Sequence, residues 1–472
     1  MRRFQGGAQR ASRRRLVLLL SSLAVALLAS PPPQAVAAGA VYVSTRGSDA
    51  GHGTFSSPWR TIQKAAAAAP AGSTVYIRGG TYAGFTVARP SLAFRQYGTE
   101  SVVVNGDPSR SFVVRVSGTN HVRISGLTIQ GGSIQYGAGV KVDKSASYVT
   151  ISGNRIRNNR SFGVLLENSS SVVVTKNSIT GNETGIQVSW VSSGVQIVSN
   201  TIAYNNRMIV NDATASNDRG ANGIVFYRAS GPITVGSNRI YGHRAASHDY
   251  GLDGGALEIY ASSNIRIVGN VMFNNLNVLE TGTDGTACSN IVFARNVAYG
   301  GSDGGARSEG LILRCASSSL IANNTFSDLD DFVYYLTQSG AFAGSIGSLR
   351  ILNNIQAQTS AKVYSFDAGL PSTMQVDYNL SYNASSGSIA WVSGLGNTGS
   401  LSTFRTWTGY DLHGRQGKPL FIDSLLRVAS TSPAIDHGTG ISGITTKVSC
   451  GMPNTVPFTA SIPITRYGRP CI

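Results

Sequence analysis

Only 23 of the 472 residues are Asp or Glu, and ten of those fall between Asp249 and Asp331. Three of the six glutamates in the chain, Glu258, Glu280 and Glu309, belong to that stretch. Two carboxylates held close together repel, so one keeps its proton where the other has lost it. A protonated acid beside an ionised base or nucleophile is the pair that cleaves a glycosidic bond. Whether these residues meet depends on the elements that carry them.

Those elements repeat. From about Val122 to Tyr382 the chain restates one phrase: alternating β-branched residues, an Asn, any residue, then an apolar one. It appears as VTISGNRI, VVVTKNSI, VQIVSNTI, ITVGSNRI, IRIVGNVM and IVFARNVA. The asparagines are Asn154, Asn177, Asn200, Asn238, Asn270, Asn296, Asn324, Asn353 and Asn379, at spacings of 23, 23, 38, 32, 26, 28, 29 and 26. A period in the twenties predicts a solenoid. A second strand series (FGVLLEN, TGIQVSW, NGIVFYR, GALEIYA, NVLETGT, EGLILRC, FVYYLTQ) precedes the Asn series, so each coil has more than one strand. Alternate residues point in and out, and coils stack about 4.8 Å apart. The Asn is expected in a turn, bonding backbone and tolerating left-handed geometry.

The two long intervals place extra residues mainly at Arg207–Asn222 and His243–Gly254. In a solenoid such insertions become loops on one face, often the binding face. Alignment of inward residues sets Ile224 and Phe226 against Leu257 and Ile259, hence Val225 against Glu258 and Tyr227 against Tyr260. Gln187 and Glu280 each lie ten residues after a repeat Asn. Glu258 and Glu280 are therefore expected at one outward position of adjacent coils, about 5 Å apart. Asp253 offers a wider pairing; a gap near 5 Å predicts retention and a wider one inversion. Both remain open.

Around these acids, Tyr227, Tyr260 and Tyr334 share an outward track and suit sugar rings, although tyrosine is also a common strand residue. Arg314 aligns with Tyr227. It could take a carboxylate or sulfate group bidentately, or pair with Glu309 or Glu280. Glu309 and His248 complete the expected substrate-binding group, His248 through a His248-Asp249-Tyr250 proton-transfer set in the second insertion, which also holds His243. Stacked acids equally suit Ca2+ or a plain solvated face. No other cofactor is expected, and a one-residue slip would bury Glu280.

Tyr42-Val43-Ser44, Gly53-Thr54, Ser57-Pro58-Trp59, Thr61-Ile62-Gln63-Lys64-Ala65 and Val75 to Tyr82 (VYIRGGTY) resemble the N-terminal region of right-handed parallel β-helix proteins of the pectate-lyase-like superfamily. Ser432-Pro433-Ala434-Ile435-Asp436 resembles a segment common near their C-termini. The resemblance covers roughly residues 41–440. It implies an all-β, right-handed parallel β-helix over 41–390. The Ala-rich stretch Trp59–Ala69, stopped at Pro70-Ala71-Gly72, is expected to be a capping helix. Residues 391–472, where the repeat is lost, are expected to be a cap or tail. The superfamily holds many polysaccharide lyases and glycoside hydrolases. Its lyases use a Lys or Arg base, often with Ca2+, and this chain has no Lys between Lys176 and Lys362. Arg266, Arg295, Arg307 and Arg314 remain as bases for that alternative. The absence of a Lys base and the Glu258, Glu280, Asp253 grouping favour glycoside hydrolysis. A non-catalytic carbohydrate-binding or cell-surface β-helix is the third reading.

The first 38 residues are expected to be a secretory signal peptide: an Arg-rich start, an apolar run Leu16–Leu28, and prolines before Ala35-Val36-Ala37. Ser12 to Val17 resembles a twin-arginine signal. The six arginines of residues 1–38 account for the fall in net charge from +16 to about +10 on removal. A basic surface suits an acidic polymer, but no nucleic-acid-binding motif occurs. The expected product is an exported monomer that acts on a polysaccharide or oligosaccharide, with no membrane span. Four cysteines in an exported chain predict disulfides Cys288–Cys315 and Cys450–Cys471.

Overall fold

A computed structural model describes residues 39–444, except for 191–193, 214–216, 287, 301–306, 341, 359–361, 368, 384–386 and 443. The signal peptide and Cys450–Cys471 lie outside the described residues. Three sheets of 13 strands each run along the described residues, and successive strands of a coil pass to different sheets in turn. Apart from the last pair of the second sheet, the ladder strands pair in parallel, each with its counterpart one coil away. This is the predicted right-handed parallel β-helix.

Inward residues stack in register. In the first sheet Ile124, Ile151, Val174, Ile197, Val235 and Ile267 are consecutive partners, each fully buried. Each such aliphatic side chain contributes roughly 1.5–3 kcal/mol by leaving water. The predicted N-terminal cap is helix α1, Ile62–Ala68, with Ile62, Ala65 and Ala66 buried. Thr61 caps its N-terminus, accepting from the Lys64 amide. At the other end helix α2, Leu401–Thr408, stacks Phe404 on Tyr364 at 4.7 Å between ring centres. No helix among the described residues is long and apolar enough to cross a membrane.

The recurrent Asn lies inside the turn rather than at its left-handed position. Asn177 sends both its backbone amide and its side-chain amide to Oδ1 of Asn200, at 3.0 Å each, and a further side-chain bond to the Ile151 carbonyl at 2.9 Å. The pattern passes from Asn154 through Asn238, Asn270, Asn296 and Asn324 to Asn354 and Asn379. It ends on buried Asp411, which accepts from Asn379 and from the Tyr364 hydroxyl; burial pushes Asp411 up to about 6. Left-handed geometry belongs to the residue before each ladder Asn, as at Lys176, Ser199 and Arg295. The ladder member of the Asn353-Asn354 pair is therefore Asn354, one residue later than the repeat suggested. Asn353 is left-handed and binds Thr439 through its side chain.

A second ladder, not anticipated, joins Asn159, Asn182 and Asn205. His243 then takes an Asn place, accepting the Asn205 amide at Nδ1 and passing its own amide to Asn275. Burial pushes His243 down to about 4, which keeps the imidazole neutral.

The adjacent pair Asn323-Asn324 separates the two roles. Asn324 accepts twice from Asn296 and donates to Phe293 and Asn354, whereas Asn323 is left-handed and its buried side-chain amide has no partner among the described residues. Asn324→Ala is expected to destabilise by about 3 kcal/mol. Asn323→Gly is expected to be neutral or to stabilise by up to about 1 kcal/mol. Urea-denaturation midpoints of the two variants check this, and equal losses would contradict the ladder assignment.

Candidate functional site

Five consecutive strands of the second sheet carry the site: Thr184–Ser189, Asn222–Tyr227, Gly255–Tyr260, Asn277–Gly282 and Glu309–Leu313. Leu257 and Ile259 are fully buried, so strand alternation turns Glu258 outward; Leu279 and Thr281 do the same for Glu280. Glu258 and Glu280 are direct register partners, and Gln187, Val225 and Ile312 continue their column. The register expected from the Asn count thus holds, and the slip that would bury Glu280 does not occur.

The two insertions form antiparallel hairpins beside this sheet. Met208–Val210 pairs with Arg219–Gly220, and Ala245–Ser247 pairs with Gly251–Asp253. They are clasped together by carboxylates: Asp249 accepts the Asn217 and Asp218 amides, while Asp218 accepts the Asp249 amide and the Ser247 hydroxyl. Gly254 turns the second hairpin into the Glu258 strand at φ +122°, where a Cβ would lie 2.5 Å from the Ala221 carbonyl oxygen. The hairpin delivers Asp253 to the acid column.

The acids perturb one another. Burial, then the charges of Glu280 and Asp253, hold Glu258 well above the usual carboxylate range. Burial, then Glu280 and Asp218, push Asp253 up to about 6. Arg314 forms an ion pair with Glu280, and Arg307 one with Glu309. Burial also raises Glu309, against the pull of Arg307. Tyr260 is raised by burial and by Glu280 and Glu258.

One acid escaped the sequence reading. Glu183 is fully buried at the start of the site, 3.6 Å from Nε of Arg219 on the first hairpin. Burial pushes it up to about 7, with Asp253 adding to the rise. Its one signal was a lone Glu after Asn182, which becomes a ladder position only once the second Asn series is known.

The remaining candidates sort clearly. Tyr227 and Tyr260 are register partners facing outward. Tyr334 is not on that track: it is fully buried, stacked on Tyr364 and hydrogen-bonded to Gln356, and Tyr335 takes the outward place opposite Ile312. His248 lies exposed at the turn of the second hairpin, its backbone amide bonded to Asn211. Arg266 and Arg295 belong to the first sheet and its turn, whereas Arg307 and Arg314 flank the site strand. Cys288 and Cys315 form the expected disulfide, with Cα atoms 5.6 Å apart. Among the described residues no three acid, His or Cys side chains converge as a metal cage, and Glu280 and Glu309 are already held by arginine.

A family model described as the Pel9A-like right-handed β-helix region matches residues 41–317. Protein YwoF of Bacillus subtilis is 36% identical over 132 residues, 25% of this chain and 28% of YwoF. Pectate lyase PEL9 of Emericella nidulans is 41% identical over 81 residues, 16% of this chain and 20% of PEL9. The chain thus spans between a fifth and under a third of the curated relatives it matches. Among solved structures, XylC in complex with xylose superposes with TM-score 0.55 at 12% identity, covering 74% of this chain and 84% of XylC. Pectate lyase Pel9A gives 0.50 at 17%, covering 86% and 93%. These likenesses are of fold. With more than half its length matched by that family model, the chain belongs to the Pel9A-like right-handed β-helix family.

Proposed function

We propose that this chain is an exported carbohydrate-active enzyme that hydrolyses glycosidic bonds of a polysaccharide at the Glu258, Glu280, Asp253 face. The observation that carries this is Glu258, which burial and the charges of Glu280 and Asp253 hold well above the usual carboxylate range. Glu258 is the general acid and protonates the leaving oxygen. Asp253, near 6 and free of any arginine among its perturbers, is the general base that activates water. Glu280, tied to Arg314, sits at the register position beside Glu258 and adds to the rise that burial causes there. Tyr227 and Tyr260 flank the bond to be cut, with Arg314 and Glu309 framing the next coil. The disulfide supports export.

This assignment predicts inversion at the anomeric carbon, because a base that activates water directs it to the face opposite the leaving group. Retention would move the base role to Glu280 as nucleophile.

A lyase reading is favoured by a different observation. The family model carries a pectate lyase's name and PEL9 is a pectate lyase. The base would then be Arg219, Arg307 or Arg314, each now lying on a carboxylate of the chain. Ultraviolet absorbance from an unsaturated uronide marks elimination, and new reducing ends without it mark hydrolysis.

On a substrate identified by a glycan screen, Glu258→Gln is expected to lower kcat by about 10²–10⁴-fold, and Asp253→Asn similarly. Full activity in both variants would refute the assignment. Because the folded Asp253 carboxyl must be ionised to act as base, kcat/KM is expected to fall as pH drops through about 6. Asp253→Asn is expected to lose that acid limb along with most of its rate. A limb left intact in the residual activity of the variant would assign the base elsewhere.

A further inference from the structure

An aromatic rim runs beside the acid column, and two of its members lie outside the strands. Trp190 follows the strand Thr184–Ser189 and is 49% exposed. Its ring meets Tyr227 edge-on at 5.9 Å. The Arg228 guanidinium covers part of it, 5.0 Å from the ring centre. Arg228 is itself fixed by Asp284 through Nε at 2.7 Å, and Tyr227 donates to the same carboxylate at 3.1 Å. Trp190 is thus braced from two further coils while half of its surface stays in water. Two coils further along, Phe342, 48% exposed, packs edge-on against Tyr260 at 5.7 Å. Its carbonyl accepts the Thr283 amide, which folds the loop after Phe332–Leu336 back over Gly282. Gly282 is required there: a Cβ would meet the Tyr260 ring at 2.7 Å.

The rim Trp190, Tyr227, Tyr260, Phe342 therefore spans about three coil steps, or about 14 Å. It lies two residues beyond the Glu258 and Glu280 column on the same strands. Aromatic faces and edges of this kind bind the C–H surfaces of sugar rings.

Charge decides which sugars. Arg219, Arg228, Arg307 and Arg314 each sit on a carboxylate of the chain itself, Glu183, Asp284, Glu309 and Glu280 respectively. No lysine exists between Lys176 and Lys362. Exposed Arg207 and His248 belong to the hairpins rather than to the strand face. A uronate or sulfate group would share every arginine it used with an internal carboxylate, and would enter beside Asp253, Glu258 and Glu280.

We infer that this face binds uncharged sugar units, with Trp190 and Phe342 as its outer stacking platforms, despite the basic charge of the chain as a whole. The inference rests on the proposed carbohydrate function but not on the acid and base roles. Its test uses the Glu258→Gln protein, so that cleavage does not obscure binding. Affinity electrophoresis in gels containing xylan, arabinan, galactan or mixed-linkage β-glucan is compared with gels containing polygalacturonate or alginate, at low and high salt. Binding to at least one neutral polymer is expected, insensitive to salt. Adding Trp190→Ala is expected to weaken it about tenfold, and Trp190→Tyr to restore most of it. Tyr204→Ala, an exposed aromatic on the third sheet, serves as control and is expected to change nothing. No binding to any neutral polymer, salt-sensitive binding to the polyanions alone, or unchanged binding in Trp190→Ala would overturn the inference. Full activity of Glu258→Gln would instead defeat the catalytic assignment, and the binding comparison would then be run on ice to limit cleavage.

Discussion

Buried backbone amides in the turns must find acceptors, and the Asn ladder supplies them. Each ladder Asn receives two bonds from the coil before and passes two to the coil after, as at Asn177 and Asn200. The network fixes the phase of every coil. Because side chains alternate across a strand, a slip of one residue would exchange inside and outside along the whole coil. The ladder is thus what keeps Leu257 and Ile259 in the core and Glu258 out of it. The insertions after Asn200 and Asn238 leave the phase intact, since Asn200 bonds Asn238 and Asn238 bonds Asn270 as shorter intervals do. Extra chain is therefore free to build hairpins without disturbing the strands beneath.

That rigidity explains how mutually repelling acids are held together. Stacking alone sets Glu258 beside Glu280, and the second hairpin brings in Asp253. Arginine offsets part of the repulsion, from the next coil at Glu280, from two residues upstream at Glu309 and from the first hairpin at Glu183. Glu258 has the Asn222 side chain as hydrogen-bond partner and only the distant pull of Arg219, so the crowding falls on it. The consequence is a carboxyl held well above the usual carboxylate range, at the centre of the proposed site.

The coil period, the outward register of Glu258 and Glu280, and the location of the insertions were all legible in the sequence, because each follows from a repeat that local chemistry enforces. The failures have equally local causes. Asn353-Asn354 offers two asparagines for one ladder place, and only the left-handed turn before the ladder residue chooses between them. Tyr334-Tyr335 is a pair in which either residue fits a strand, and the core took the first. His243 stands where an asparagine would, so it looked like a loop residue rather than a turn acceptor. Glu183 and Phe342 owe their places to contacts across many residues, with Arg219 and with Tyr260, that no spacing reveals.

The central claim is that Glu258 keeps its proton at neutral pH. Infrared difference spectroscopy between the wild-type protein and Glu258→Gln tests it directly in neutral buffer, where carboxyls common to both proteins cancel. A protonated carboxyl stretch present in the wild type and missing from the variant is the predicted result. Only an ionised carboxylate in that difference spectrum would contradict it.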